Sequence, residues 1–137
     1  MNLASGLMPV RIFINNGIKV GLGSDIGASA DISILRSMYT AIAVSKIIWL
    51  YSNERLMPLK TYEAFYMGTK AGGSFFGKVG SFEKDYEFDA LVIDDSELCD
   101  MDYTLEERIE RLIYLGKEEY IATRFMSGNI IPEPNFG

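Results

Sequence analysis

The stretch IKVGLGSD, residues Ile18 to Asp25, decides how this chain is read. A short apolar run meets two glycines and stops on an acid. Strand side chains alternate between two faces. Ile18, Val20 and Leu22 therefore share one face, and Lys19, Gly21, Gly23 and Asp25 share the other. Gly21 and Gly23 clear the acid's face of bulk. The segment IGASAD that follows is a loop of small residues. A helix is predicted from about Ser33 to Tyr51, because Ile34, Leu35, Met38, Ala41, Ile42, Ser45, Ile48 and Trp49 recur at three-and-four spacing. Strand, loop and helix in that order make a β/α unit.

Before the stretch, a loop leads into a short helix around Val10–Ile14. Pro9 suits its first turn, and Gly17 is the expected left-handed cap. After it, NERLMPLK is a connector. Thr61 then opens a further helix, with Glu63 in the first turn, which runs to Gly72-Gly73. Beyond residue 75 the character changes. Phe88–Asp94 reads as a strand. TLEERIERLIYLG reads as a helix with a Thr104–Glu107 capping box and a terminal Gly116. YIATRFMSGNII reads as two short strands around Ser127-Gly128-Asn129.

One β/α unit cannot close a parallel sheet, since its strand needs parallel neighbours that residues 26–85 do not offer. The pattern therefore points to the carboxyl-terminal portion of a larger α/β protein. An autonomous small α+β domain is the other reading of the same pattern.

Composition narrows the chemistry. The 137 residues carry a net charge of −6, with 48% hydrophobic and 23% charged residues, a globular balance. The acids gather late, in DDSELCDMDYTLEE, and the scattered basic residues offer no nucleic-acid or anionic-membrane surface. The apolar region 38–51 is broken by Thr40, Ser45 and Lys46 and is too short to span a bilayer. There is no histidine, which excludes Ser-His-Asp and Cys-His catalysis within this chain. It also makes a complete transition-metal site from this chain alone untenable. GSDIGAS lacks the Lys-Ser/Thr ending of a phosphate loop. The single cysteine, Cys99, is expected to be an inert thiol of a reducing compartment.

The segment NLASGLMPVRIFINNGIKVGLGSDIGAS resembles the part of the amidohydrolase superfamily that holds the last barrel strand. More closely, the chain resembles the carboxyl-terminal third of guanine deaminases of the bacterial type. The likeness runs through SGLMPVR, VGLGSD, AVSKIIW, EAFYMGTKAGGSFFGKVGSFEKDYEFDALVIDD and ERIERLIYLG. Met1-Asn2 falls near the Ser-Asn that precedes this segment in the family. Ser24 stands where many relatives carry Thr, and Phe88-Asp89 where the sandwich motif has a small residue before its acid.

The resemblance implies an α/β fold, the carboxyl-terminal portion of a (β/α)8 barrel plus part of a small β-sandwich. Residues 1–75 would carry the last part of the metal-dependent barrel, with its final strand at 18–25. Residues 76–137 would carry the sandwich portion with a terminal helix. The family holds one zinc ion with a His-x-His pair, two later histidines and an aspartate at the end of the eighth strand. Asp25 matches that aspartate, as both metal ligand and catalytic proton carrier. The histidines and the family's catalytic glutamate lie outside this chain.

The activity implied is guanine plus water to xanthine plus ammonia, with this chain inactive alone. A small-molecule purine substrate, a homodimeric intact enzyme and a cytoplasmic location are implied with it, without nucleic-acid or membrane partners. Substrate-contacting residues are not identified. Two alternatives stand beside this: a non-catalytic interaction module, and a related aminohydrolase acting on another purine, pyrimidine or triazine. For Asp25 itself the plain alternatives are a helix N-cap or a surface acid. Arg11 is expected in a surface ion pair. Trp49, Tyr62, Phe65 and Tyr66 are expected as core, Asp89 as structural, and Glu106-Glu107 and Glu118-Glu119 as solvated faces.

Overall fold

The computed structural model describes residues 6–28 and 31–132. The Met1-Asn2 pair, Ser5, and Ser29 and Ala30 of the small-residue loop lie outside the described residues. Helix α1 spans Val10–Asn15, behind Pro9 as N-cap, and Gly17 follows at φ +71. Helix α2 spans Ile34–Tyr51, and the Ser33 hydroxyl accepts from the Arg36 amide at 3.4 Å to cap it. Helix α3, Thr61–Tyr66, passes without a break into a π turn at Met67–Ala71. Helix α4 spans Leu105–Leu115 with the expected reciprocal cap, Thr104 amide to Glu107 carboxylate at 2.8 Å and Glu107 amide to Thr104 hydroxyl at 3.3 Å.

Three short strands form one antiparallel sheet in the order β1 (Ala90–Ile93), β2 (Ile121–Met126), β3 (Asn129–Ile131). Ala90 faces Phe125, and Arg124 faces Ile131. The β2–β3 turn takes Ser127 at φ +47 and Gly128 at φ +78, the left-handed pair that a tight hairpin needs. Asp89 accepts from the Ser127 amide at 2.7 Å and so pins that turn to the start of β1, a structural role as expected.

The helices hold the core. Val10, Met38, Ile42, Leu59, Ala64, Met67 and Ile113 are buried together, with Phe65 packed against them. Met38 and Ile42 lie on the predicted α2 stripe. Ser45 lies on it too, because its hydroxyl is fully used: it donates to the Ile42 carbonyl at 2.7 Å and accepts from the Leu59 amide at 2.9 Å. That second bond fastens the connector to α2. Tyr114 of α4 meets Tyr39 of α2 edge-on, ring centres 5.4 Å apart.

Two expectations change. Residues 18–25 form no strand ladder among the described residues; Leu22 is the one member of 19–25 whose amide finds a backbone acceptor there, the Met67 carbonyl at 3.0 Å. A parallel strand is made by its neighbours, and the described residues supply none. The aromatic run also splits: Phe65 joins the core, whereas Tyr62 and Tyr66 stay largely exposed. No helix among the described residues is long and apolar enough to cross a membrane.

Candidate functional site

Although 18–25 lacks a ladder, it keeps the side-chain alternation of a strand from Lys19 onward. Lys19, Gly21, Gly23 and Asp25 are exposed, while Val20, Leu22 and Ser24 are partly covered. Val20 and Leu22 pack against the helical core. Ile18 departs from the pattern and is 52% exposed. The segment borders a groove of about 450 Å³, lined by Lys19, Gly21, Leu22 and Gly23 together with Gly72 and Phe75 of the neighbouring stretch.

Asp25 stands at the end of this face. Its backbone is left-handed, φ +50, and its carbonyl accepts from the Ala28 amide at 3.0 Å in a tight turn. An L-residue holds that conformation at a cost of about 1–2 kcal/mol. Local strain of this kind gathers at functional positions. No described residue donates a hydrogen bond to the Asp25 carboxylate. The helix behind it is capped by Ser33, whose own amide donates to Asp31 at 2.8 Å, so Asp25 is not a helix cap.

A carboxylate oxygen is an ordinary zinc donor. Asp25 fits that role as one donor of a set, and among the described residues no three His, Cys, Asp or Glu side chains converge. The two glycines differ. A Cβ on Gly23 would meet nothing within 4 Å, in keeping with an open face. A Cβ on Gly21 would lie 2.9 Å from the Gly72 Cα, so Gly21 is small for close backbone packing and not to clear room beside the acid.

Two other polar clusters make structural contacts. Arg11 is mostly covered, 14% exposed, and not on the groove: it pairs with Glu63 and donates to the Met57 and Pro58 carbonyls at 2.9 Å each. Cys99 donates to Asp95 at 3.4 Å, and desolvation, then that hydrogen bond and the Asp95 charge, push its thiol above the usual range, as suits an inert thiol. Asp95 in turn is held low by Arg108, which donates to it at 2.6 and 3.0 Å.

A sequence profile of the amidohydrolase family matches residues 1–131. The chain belongs to the amidohydrolase family. The amidohydrolase is 33% identical over 137 residues to the guanine deaminase of Dictyostelium discoideum, covering 94% of this chain and 30% of that protein. It superposes on the crystal structure of the guanine deaminase from C. acetobutylicum, solved with guanine bound in its active site, with a TM-score of 0.90 and 56% identity over 94% of this chain. It also superposes on the E. coli guanine deaminase with a TM-score of 0.81 at 27% identity. The chain spans about a third of the length of these relatives. The expected resemblance to guanine deaminases, bacterial ones included, is thereby borne out.

Two features of the site region, the π turn and the Gly21–Gly72 approach, carry no periodic sequence signal, and neither does the Arg11–Glu63 pair away from it. The Gly72-Gly73 doublet was the visible trace of the first two.

Proposed function

We propose that this chain supplies the aspartate of a zinc-dependent guanine deaminase, which converts guanine and water to xanthine and ammonia. The observation that carries the proposal is Asp25: a strained acid whose carboxylate no described residue engages, ending an exposed stretch that Val20 and Leu22 anchor to the helices. The 56% identity to a guanine deaminase supports the substrate class. The zinc-binding histidines would come from polypeptide outside this chain, which has none. Residues 1–75 would close the barrel and residues 76–137 would form the sandwich portion. A homodimeric, cytoplasmic intact enzyme goes with this proposal.

When bound, zinc lowers the pKa of a coordinated water from about 15.7 to near 7. One oxygen of Asp25 would serve as ligand. The other can accept a proton and release it to the departing amine, the work of a general base turned general acid. The anchored Val20 and Leu22 hold the segment while the Gly23 position beside Asp25 stays open to a small substrate.

The test has two arms. This chain alone, given guanine and followed by ultraviolet absorbance, shows no turnover. Fused in place of the matching carboxyl-terminal segment of the C. acetobutylicum enzyme, it supports turnover, and Asp25→Asn in that chimera lowers it by about 10²–10⁴-fold. Enzyme-like turnover by the isolated chain, or a fully active Asp25→Asn chimera, refutes the proposal.

A further inference from the structure

The residues that hold the 18–25 segment against the helices sit at one spot. Met67, the first residue of the π turn, offers its carbonyl to the Leu22 amide at 3.0 Å. One residue earlier in the segment, Gly21 lies against Gly72, just past the π turn. A Cβ built on Gly21 would fall 2.9 Å from the Gly72 Cα, 3.3 Å from its nitrogen and 3.8 Å from the Ala71 carbonyl carbon. All three are backbone atoms, so no side chain can swing aside. A π turn carries an extra residue and breaks the regular i→i+4 pairing. Here it brings one helix carbonyl and one glycine to the neighbouring segment together.

The two contacts define a register. A slip of one residue would press Val20 or Leu22 onto Gly72, where no side chain fits. It would also turn every side chain of the segment to the opposite face, because strand side chains alternate. Asp25 shares the parity of Gly21 and Gly23 and would then turn to the side that Val20 and Leu22 now occupy.

We propose that the Met67–Ala71 π turn and Gly72 are a register pin for Asp25, with Gly21, Gly72 and the Met67 carbonyl acting as positioning groups. The functional meaning rests on Asp25 as a zinc ligand, and the pin itself is tested apart from activity. A long contact from the Ser37 hydroxyl to the Gly23 carbonyl, 3.5 Å, steadies the same stretch from α2.

Amide hydrogen exchange on this chain is the direct test. The Leu22 amide exchanges at least about tenfold more slowly than those of Gly21 and Gly23. Gly21→Ala removes that protection while the α4 amides keep theirs. Gly72→Ala retains it, because a Cβ there sits 3.4 Å from the Met67 oxygen and 4.0 Å from the Leu22 oxygen, ordinary contacts. In the chimeric enzyme Gly21→Ala lowers kcat about 100-fold with KM nearly unchanged, and lowers bound metal per chain. Equal exchange at Leu22 and its neighbours overturns the pin, and it is read on the unsubstituted chain should Gly21→Ala fail to fold. A fully active Asp25→Asn chimera overturns the ligand assignment instead, and leaves the exchange pattern as it was.

Discussion

Arg11 and Glu63 grip one another with both prongs, Nη1 to Oε1 at 2.8 Å and Nη2 to Oε2 at 2.7 Å, across 52 residues of chain. Glu63 also accepts from the Lys60 amide at 2.8 Å, so one carboxylate caps α3 and ties it to α1. Bidentate, charge-assisted pairs with little exposure outweigh ordinary surface ion pairs. Arg11→Met is expected to lower stability by about 1.5–3 kcal/mol at pH 7, measured by urea unfolding. A loss within error of zero would mean that solvent already screens the pair.

The same pair sets an acid response. Hydrogen bonds from Arg11, ahead of the opposing effect of burial, hold the Glu63 carboxyl below the usual glutamate range. A lowered folded pKa gives stability that is present above the unfolded value, about 4.3, and is lost as pH falls through the folded value. Wild type should therefore lose more stability than Arg11→Met on acidification below about pH 4.3. Parallel pH–stability curves for the two proteins would contradict this.

Asp25→Asn keeps shape and volume while removing charge and basicity. In the chimeric enzyme, kcat should fall by about 10²–10⁴-fold, the span that a positioned acid–base group commands. The melting temperature should not drop, because no described residue bonds to the Asp25 carboxylate. Reduced activity accompanied by a large drop in melting temperature would point to a structural acid.

Asp89→Ala leaves the Ser127 amide without its acceptor at a turn already in left-handed backbone. The cost should be about 1.5–3 kcal/mol of local stability, seen as faster exchange of the β2–β3 amides with α2 unaffected. Unchanged exchange in the hairpin would show that Gly128, bonded to the Phe88 carbonyl at 2.9 Å, holds the turn without it.

Phe75 and Phe76 are 87% and 79% exposed beside the groove, stacked edge-on at 5.2 Å. Contiguous exposed apolar surface promotes association. The isolated chain should self-associate in sizing chromatography, and Phe75→Ser with Phe76→Ser should shift it toward monomer. A wild-type chain that stays monomeric at high concentration would remove this expectation.

Local patterns made the helices legible. Ser33 before an apolar stripe, Thr104 with Glu107, and Gly17 after Asn16 each act within four residues, so adjacent sequence suffices to reveal them. The hairpin at Ser127-Gly128 was legible for the same reason. The strand read at 18–25 forms no ladder among the described residues, because a ladder belongs to its neighbours. The small size of Gly21 was misattributed to the site, because the atoms it must avoid lie about fifty positions away.

The sequence by itself determined the helices, the hairpin turn, the parity that sets Asp25 apart from Val20 and Leu22, and the amidohydrolase family. Only the tertiary structure decided that Arg11 is nearly covered and that a π turn meets the Asp25 segment at Gly21 and Leu22. Caps, turns and periodicities arise from bonds between near neighbours along the chain. Packing of one backbone on another depends on distances that no short stretch encodes.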